Sequence, residues 1–397
     1  MSLTNNDNRT SIEKLIYLCA GNPSVFEAQV LELLEYYINN QSFKEIILLQ
    51  GYKNRKERKE IERKTKLYQI KIMWFRYFPH YFLLSFLTII SLNHAISKVT
   101  SDNKSYFIHI RDDMFGYFIK IIFKIKRLPF NFLIDIRGLI IEELKYKKIL
   151  SYASLVRYKL KYAFITHEYK EVLRKPYSEL TVVSPMMKKI LLEEYKYPDE
   201  YINIHSNIAG SKFKYNSDKR LKIREELRIN ETDYLAICST GGGAVWQKDY
   251  QLVDELINKG IKVLNLSPKV LEIKGVINKS VAFSDMPNYL SAADIAILWR
   301  DPIRMNEVAS PSKFSEFAVM GLYVIHNGSV SIANDYIEKT GAGCIITCAS
   351  EISIERFSII NDFARRKWIQ AGQDMFGIER IAKSYILTYK KTLRHAK

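Results

Sequence analysis

Short apolar runs alternate with segments of helical length along almost the whole chain. Many of these runs are continuously apolar, which is typical of strands that are buried on both faces of a parallel sheet. The longer segments between them suit right-handed crossovers from one parallel strand to the next. The runs predicted as strands are 15–20, 45–49, 106–110, 130–135, 180–184, 234–239, 262–266, 295–299, 323–326 and 344–347.

The series of strands restarts near Tyr234, which indicates two doubly wound α/β domains. Before the restart, residues 201–214 are typical of a short strand followed by a crossing segment. The last segment of the chain is helical and basic, and we expect it to cross back to the first domain. The predicted domains are 1–208 together with 377–397, and 209–376.

The composition is that of a globular protein with a full core, because 47% of the 397 residues are hydrophobic and 26% are charged. The four cysteines lack CxxC spacing, which indicates a reducing compartment and no disulfide framework. The N-terminus shows no secretory signal pattern. The longest uncharged stretch, 77–97, contains several polar residues and predicts a buried or interfacial helix instead of a membrane span.

The net charge of +17 is concentrated in residues 51–150. Within that window, Lys120, Lys124 and Arg127 share one face of a predicted helix over 115–127. Another face is apolar and is formed by Phe115, Phe118, Ile122 and Ile125. A basic amphipathic face of this kind suits an anionic membrane surface. The alternative is that these are ordinary solvated faces. No zinc finger, RNA-recognition signature or helix-turn-helix is evident, so no nucleic-acid partner is predicted.

A run of three glycines follows the strand predicted at 234–239 and precedes a helix. Gly241, Gly242 and Gly243 allow close approach of the backbone to a ligand and present N–H groups to an anion. Lys248 lies at the start of the following helix, which also favours an anion. In open α/β sheets, ligands bind at this end of the strands.

A second motif occupies residues 310–325. Either Ser310 or Ser312 can cap a helix that is preceded by Pro311, and Gly321 is predicted to end that helix directly before a strand. Lys313 and Glu316 are three residues apart and share one face of its first turn. They form either a surface ion pair or a site in which Lys313 binds a diphosphate and Glu316 binds sugar hydroxyls. Patterns of metalloproteases, P-loop ATPases and α/β-hydrolases are absent.

Residues 310–325 resemble the E-F/Y-x-A-x-G-x-x-V-I signature of retaining GT-B glycosyltransferases of family four, of the type that builds bacterial surface polysaccharides. Segments 286–300, 239–248, 181–191 and 132–138 are similar to the same family in the same order. The resemblance implies a GT-B fold, in which two Rossmann-like domains face a cleft. It also implies a hexosyltransferase without a metal or other cofactor. The nucleotide-sugar donor is expected on the second domain and a glycan or lipid-linked glycan acceptor on the first, at the cytoplasmic face of a membrane.

The resemblance also assigns roles to residues of the second domain. The donor diphosphate would face Gly241–Gly243, Lys248 and Lys313, together with N–H groups near Ser312. Arg300 would lie on the donor side, and Glu316 would bind ribose. The first carboxylate of the family's E-x7-E element falls on Val308, so either the neighbouring Glu307 contacts the sugar or backbone amides replace it.

In the first domain, Gly21 and Asn22 resemble the family's loop that approaches the donor phosphates. Asp135 and Arg137 follow another strand and would border the acceptor and the reacting sugar. A structural pair between them is the alternative. His109 is expected to be a packed strand residue.

Two other functions stay open on the sequence. A sugar-nucleotide epimerase would use the same donor pocket without an acceptor. A non-catalytic GT-B-like subunit that binds a partner protein or glycan would account for the missing first carboxylate.

Overall fold

The computed structural model describes residues 12–21, 26–78, 82–102, 105–146, 152–239 and 245–395. The chain divides into two compact units. Unit 1 comprises Met1–His205 together with Ala382–Lys397, and unit 2 comprises Ser206–Ile381. Unit 1 is therefore assembled from two separate segments of the chain.

The described part of unit 1 contains a seven-stranded parallel sheet in the order β3-β2-β1-β4-β5-β6-β7. Residues 15–18 of β1 are fully buried, as expected for a strand covered by helices on both faces. The strands are β1 (Lys14–Ala20), β2 (Glu45–Tyr52), β3 (Lys71–Arg76), β4 (Tyr106–Ile110), β5 (Phe132–Ile136), β6 (Glu179–Val182) and β7 (Ile202–Ile204). The helices are α1 (Glu32–Asn39), α2 (Arg55–Thr65), α3 (Phe82–Val99), α4 (Asp113–Lys126), α5 (Ile140–Lys145), α6 (Tyr152–Val172) and α7 (Pro185–Tyr195).

Unit 2 repeats this plan with a six-stranded parallel sheet among its described residues, in the order β10-β9-β8-β11-β12-β13. Its strands are β8 (Leu235–Cys238), β9 (Lys262–Asn265), β10 (Val276–Asn278), β11 (Ile295–Leu298), β12 (Tyr323–His326) and β13 (Gly343–Ile345). Its helices are α8 (Ser217–Glu226), α9 (Val253–Asn258), α10 (Met286–Ala292), α11 (Arg304–Glu307), α12 (Ser312–Val319), α13 (Ser331–Thr340) and α14 (Asp362–Phe376).

Both sheets are doubly wound, which confirms the predicted α/β fold class. The strand order reverses between β1 and β4 in unit 1 and between β8 and β11 in unit 2. Ligands of open parallel sheets bind outside the carboxyl ends of the strands at such a reversal. The carboxyl edge of each sheet is therefore where functional side chains are expected.

The last helix, α15 (Ile378–His395), begins in unit 2 and belongs to unit 1 from Ala382 onwards. Tyr385 and Tyr389 are fully buried in unit 1. The Tyr37 hydroxyl of α1 donates to the backbone oxygen of Ala382 at 3.3 Å. The predicted return of the chain to the first domain is confirmed.

Two strands escaped prediction because their sequences lack a buried apolar run. β3 lies in the basic segment, and only Phe75 among its residues is almost completely buried. β10 is short and partly exposed. Each lies at the edge of its sheet, where a strand has one neighbour and less of its surface is covered.

The predicted basic face of α4 is wrong at Lys120. Its side chain is buried, and Nζ donates to the backbone oxygens of Glu171, Val172 and Arg174 at 3.0, 3.0 and 2.7 Å. These oxygens lie at the carboxyl end of α6, where carbonyl groups lack partners within the helix and attract a cation. Burial lowers the pKa of Lys120 to about 8.

The other two basic residues of that face are exposed to solvent, unlike Lys120. Lys124 and Arg127 are exposed, and so is Ile125, which was predicted on the apolar face but is 75% exposed. In the described part of the chain, no helix combines the length and the hydropathy that crossing a bilayer requires.

We expect Lys120→Met to lower the free energy of unfolding by about 2 kcal/mol, because it removes a charged donor from three carbonyl groups. Lys124→Met on the same helix is the matched control and should change stability by less than about 0.5 kcal/mol, since Lys124 is exposed. Urea unfolding of both variants measures the difference. Equal loss in the two variants would contradict the capping role.

Candidate functional site

One buried carboxylate organises the carboxyl edge of the sheet in unit 1. Asp135, on β5, is fully buried. Its Oδ2 accepts from Arg137 Nε at 2.7 Å and lies 3.2 Å from His109 Nε2, while its Oδ1 accepts from Thr181 Oγ1 at 2.7 Å. Three neighbouring strands are thereby joined through a single side chain.

The charges around Asp135 keep it ionised. Burial alone would raise the pKa of Asp135, but the charges of Arg137 and Arg111 and the hydrogen bond from His109 hold it well below its usual range. Burial lowers the pKa of His109, so its imidazole is neutral. An ionised carboxylate only accepts, so His109 Nε2 carries the hydrogen and Nδ1 accepts from the Tyr389 hydroxyl at 2.7 Å. His109 is thus a packed strand residue, as expected.

The guanidinium of Arg137 is oriented by groups of unit 1. Besides Asp135, it donates from NH1 to the backbone oxygen of His205 at 3.3 Å and from NH2 to the Tyr385 hydroxyl at 2.5 Å. Its side chain is 17% exposed, whereas that of Asp135 is sealed from solvent. A ligand can therefore reach Arg137 but not Asp135, which makes Asp135 a positioning residue for Arg137.

Gly21 directly follows β1 and has a φ of +72°, which favours glycine. A Cβ at this position would lie 3.0 Å from the Tyr77 hydroxyl. The Gly21 oxygen accepts from Gln50 Nε2 at 2.9 Å. Asn22 lies outside the described residues, as do Gly241, Gly242 and Gly243.

In unit 2, the structure brings Lys248 and Arg300 side by side. The Lys248 N–H donates to the Trp299 oxygen at 2.9 Å, and Gln247 pairs with Arg300 as an antiparallel bridge. Burial lowers the pKa of Arg300, an effect that the nearby Asp249 opposes. The backbone of Lys248 and that of Arg300 thus lie together at the carboxyl end of β11.

Asp249 fixes this arrangement. It is buried, and its Oδ1 accepts from the Trp299 N–H at 2.9 Å. Burial raises the pKa of Asp249 to about 7, although the bond from Trp299 and the charge of Arg300 act in the opposite direction. The sequence shows Asp249 only as the first acidic residue of a short helix, and nothing in its spacing indicates this role.

The first turn of α12 carries the predicted pair. Ser312 is the first residue of the helix, and Lys313 Nζ lies 2.9 Å from Glu316 Oε2. Glu316 is 2% exposed, and the Lys313 side chain is 26% exposed. Burial raises the pKa of Glu316, and the ammonium groups of Lys313 and Lys212 oppose that shift.

Lys212 and Phe283 complete this cluster, and sequence reasoning missed both. Lys212 Nζ lies 3.9 Å from the centre of the Phe283 ring, and Lys313 Nζ lies 5.9 Å from it. An ammonium group over an aromatic face is stabilised by the ring quadrupole. Two cations and one buried carboxylate therefore meet at the start of α12, and one of the cations, Lys212, comes from a distant segment of the chain.

The loop before α12 is tied down by Asn207. Its N–H donates to Ser310 Oγ at 3.1 Å, its side-chain amide donates to the Ser310 oxygen, and its own oxygen accepts from Ser315 Oγ at 2.9 Å. Val308 is fully buried, and Glu307 is exposed at the end of α11. The position of the first carboxylate in the resembled family is thus occupied by a core residue.

The described residues contain no group of three or more histidine, cysteine, aspartate or glutamate side chains arranged to hold a metal ion. The ionisable groups at the two carboxyl edges are instead cations paired with single carboxylates. Such an arrangement can hold and neutralise an anionic ligand.

Comparison of the structure with solved structures identifies the architecture. A glycosyltransferase from Rickettsia africae matches with a TM-score of 0.69 and 14% identity, over 96% of this chain and 99% of that one. HepE from Anabaena, solved with UDP and glucose, matches with a TM-score of 0.66 and 12% identity, over 95% and 99%. The chain has the GT-B fold.

The same fold is shared with a different class of protein. A Listeria monocytogenes protein assigned as a UDP-N-acetylglucosamine 2-epimerase matches with a TM-score of 0.53 and 12% identity, over 98% of each chain. No family profile matches the sequence, and no curated protein matches it. The likeness is therefore one of GT-B architecture at low identity.

We expect Asp135→Asn to lower the free energy of unfolding by about 3 kcal/mol at neutral pH, because it leaves buried cations without their counter-ion. The difference in the free energy of unfolding between the variant and the native protein should become smaller as the pH falls below 3.8, the ordinary carboxyl pKa. There the unfolded chain takes up a proton that native Asp135 does not.

Asp199→Asn is the matched control, because Asp199 makes an ion pair with Lys188 but is 67% exposed. Urea unfolding at several pH values measures both variants. A loss at position 135 that is as small as the loss at position 199 would show that Asp135 does not hold the network.

Proposed function

We propose that the protein is a glycosyltransferase that moves a sugar from a nucleotide-sugar donor to a hydroxyl of a glycan or lipid-linked glycan. The observation that carries the proposal is the cluster of Lys313, Lys212 and Glu316 at the start of α12, in a chain with the GT-B fold. HepE, which shares that fold, was solved with UDP-glucose as well as with UDP and glucose. Unit 2 would hold the donor and unit 1 the acceptor.

The departing diphosphate is the group that most needs stabilisation in this reaction. Lys313 would bind it, together with the N–H groups of the first turn of α12, which have no acceptors within the helix. Lys248, Arg300 and the amides of Gly241–Gly243 would add further positive charge and donors.

Glu316 would accept hydrogen bonds from the ribose hydroxyls, since its buried carboxylate is oriented by Lys313. Glu307 would contact the transferred sugar from the exposed end of α11. Gly21 and Asn22 would approach the donor phosphates from unit 1, and Arg137, held by Asp135, would border the acceptor.

The reaction would proceed with retention, as the resemblance implies. The bond between the anomeric carbon and the diphosphate oxygen breaks, and the acceptor oxygen forms a new bond to that carbon from the same face. The acceptor proton passes to the departing diphosphate. The protein acts by binding, orientation and charge stabilisation.

The donor site is tested by titration with UDP and with uridine. Lys313→Ala should weaken UDP binding at least about tenfold and uridine binding much less, because uridine lacks the diphosphate. Glu316→Gln should weaken the binding of UDP and of uridine to a similar extent, because both ligands contain ribose.

Lys339→Ala is the matched control, since Lys339 is exposed at the end of α13. ADP and GDP are measured in parallel to identify the base. Unchanged affinity of the Lys313→Ala variant for every diphosphate would overturn the donor site.

A sugar-nucleotide epimerase is the second candidate, because the Listeria protein shares the fold. Incubation with UDP-N-acetylglucosamine alone separates the two functions. A transferase needs an acceptor to consume the donor, whereas an epimerase produces the isomeric nucleotide sugar without one.

We further propose that unit 1 sits at the cytoplasmic face of an anionic membrane, where a surface polysaccharide is assembled. On α3, Phe86 and Ile90 are 62% and 50% exposed, and on α4 Ile125 is 75% exposed beside the exposed Lys124. Lys126 Nζ donates to Ser97 Oγ, so the two helices are neighbours. Exposed apolar and cationic groups together favour an anionic bilayer surface.

Sedimentation with vesicles tests this surface. The protein should bind vesicles that contain phosphatidylglycerol and not pure phosphatidylcholine, and salt should weaken the binding. Ile125→Ser should reduce binding severalfold, whereas Val270→Ser, at a residue of unit 2 that is 61% exposed, should not. Equal binding to both kinds of vesicle would contradict the proposal.

A further inference from the structure

A cavity of about 370 Å³ opens at the amino ends of β5, β6 and β7 in unit 1. This edge is opposite the carboxyl edge that carries Asp135 and Arg137. The volume lies at the lower end of the roughly 300–1,000 Å³ that is typical of small-ligand pockets. The residues that line it are Phe130, Pro176, Tyr177, Ser178, Glu179, Tyr201 and Thr392.

Aromatic rings form one wall of the cavity. The rings of Tyr177 and Tyr201 are 5.8 Å apart and inclined at 45°. Tyr177 also packs edge-on against Tyr197, 5.0 Å away. The Tyr197 hydroxyl accepts from the Ser178 N–H at 3.0 Å and donates to the Ser178 oxygen at 2.5 Å, which fixes the segment before β6. The wall is therefore preorganised.

The charge in the cavity is already balanced. Glu179 is buried, and its Oε1 accepts from Lys391 Nζ at 2.8 Å and from Asn203 Nδ2 at 2.6 Å. Lys391 belongs to α15 and also donates to the Glu200 oxygen. A cationic or anionic ligand would thus gain little from this pair, and a neutral ligand is favoured.

One polar group in the wall lacks a partner. Ser178 is 3% exposed, and its Oγ makes no hydrogen bond within the described part of the chain. A buried hydroxyl without a partner destabilises the protein, so a ligand that hydrogen-bonds to it would be bound more tightly. The cavity thus combines aromatic faces, a hydroxyl that needs a partner and no excess charge.

We propose that this cavity binds one neutral sugar residue, and that it is a second glycan-binding site, which belongs to unit 1 whereas the proposed donor site belongs to unit 2. A pyranose ring presents C–H groups to aromatic faces and hydroxyl groups to polar side chains. Ser178 Oγ is covered by its surroundings, so rotation of that side chain towards the cavity would let it bond a sugar hydroxyl, and Tyr177 and Tyr201 would pack against the ring. The biological role of this site, holding a distant residue of the acceptor glycan, rests on the proposed transferase function.

Binding is measured by saturation-transfer NMR and calorimetry on the full chain, with glucose, galactose, N-acetylglucosamine, maltose and lactose as probes. Choline and uridine serve as cationic and aromatic probes. We expect at least one sugar to bind with millimolar affinity. Choline and uridine should not compete with that sugar for the cavity.

Two substitutions identify the site. Tyr201→Leu removes the ring but keeps an apolar side chain, and it should weaken sugar binding about tenfold or more. Ser178→Ala removes only the hydroxyl and should weaken it about threefold. Tyr250→Ala, at a residue of unit 2 that is 46% exposed, is the matched control and should leave sugar binding unchanged.

The proposal is overturned if no sugar binds, if choline or uridine displaces the sugar, or if folded Ser178→Ala and Tyr201→Leu proteins bind sugar as the native protein does. UDP affinity should be the same in Tyr201→Leu and Ser178→Ala as in the native protein, because the cavity belongs to unit 1 and α12 belongs to unit 2. Failure of the cavity therefore leaves the donor-site result intact, and failure of the donor site leaves sugar binding measurable.

Discussion

The carboxylate of Asp135 is the interaction on which the architecture of unit 1 depends. It is the shared counter-ion of two arginines and the acceptor for an imidazole and a hydroxyl from adjoining strands. Through His109 and Arg137 it also joins the sheet to Tyr389 and Tyr385 of α15. Removal of one partner from a buried ion pair typically lowers the free energy of unfolding by about 3–5 kcal/mol. Because Asp135 joins several strands, its removal would disturb the whole carboxyl edge of the sheet.

Unit 2 also contains a buried carboxylate that is shared by several arginines, and this one anchors helices to the sheet. Asp294, just before β11, accepts from Arg220 and Arg224 of α8 and from Arg365 of α14 at 2.7–3.2 Å. This centre lies at the amino edge of the sheet and anchors two helices. Glu316 lies instead at the start of α12, and its partner Lys313 remains partly exposed. The contrast separates a structural ion cluster from one that a ligand can reach.

The fold was predictable because strands covered on both faces leave continuous apolar runs. β4 and β12 have the bounds that their sequences predict, Tyr106–Ile110 and Tyr323–His326. The edge strands β3 and β10 do not carry that signal. Charge patterning was a weaker guide, since Lys120 reads as one residue of a solvated basic face yet caps α6.

The candidate site was predictable only where its residues are close in sequence. Lys313 and Glu316 are one turn apart, and local spacing predicts their contact. Lys212 and Phe283 approach Lys313 from distant segments, and no periodicity brings them together before the chain folds. Burial likewise separates Asp135 from Arg137, although residues two apart share one face of a strand, because Asp135 lies within β5 whereas Arg137 lies beyond its last residue.

The position of α15 has a consequence for the order in which the protein is made. Unit 1 needs Tyr385 and Tyr389 to fill its interior, and these residues are synthesised after all of unit 2. Once Ile381 has been translated, every residue that unit 2 needs for its core has been synthesised. Unit 1 at that stage still lacks its part of α15. The segment translated first is the one that completes its folding last, and until then its apolar surface is exposed to the quality-control machinery of the cell.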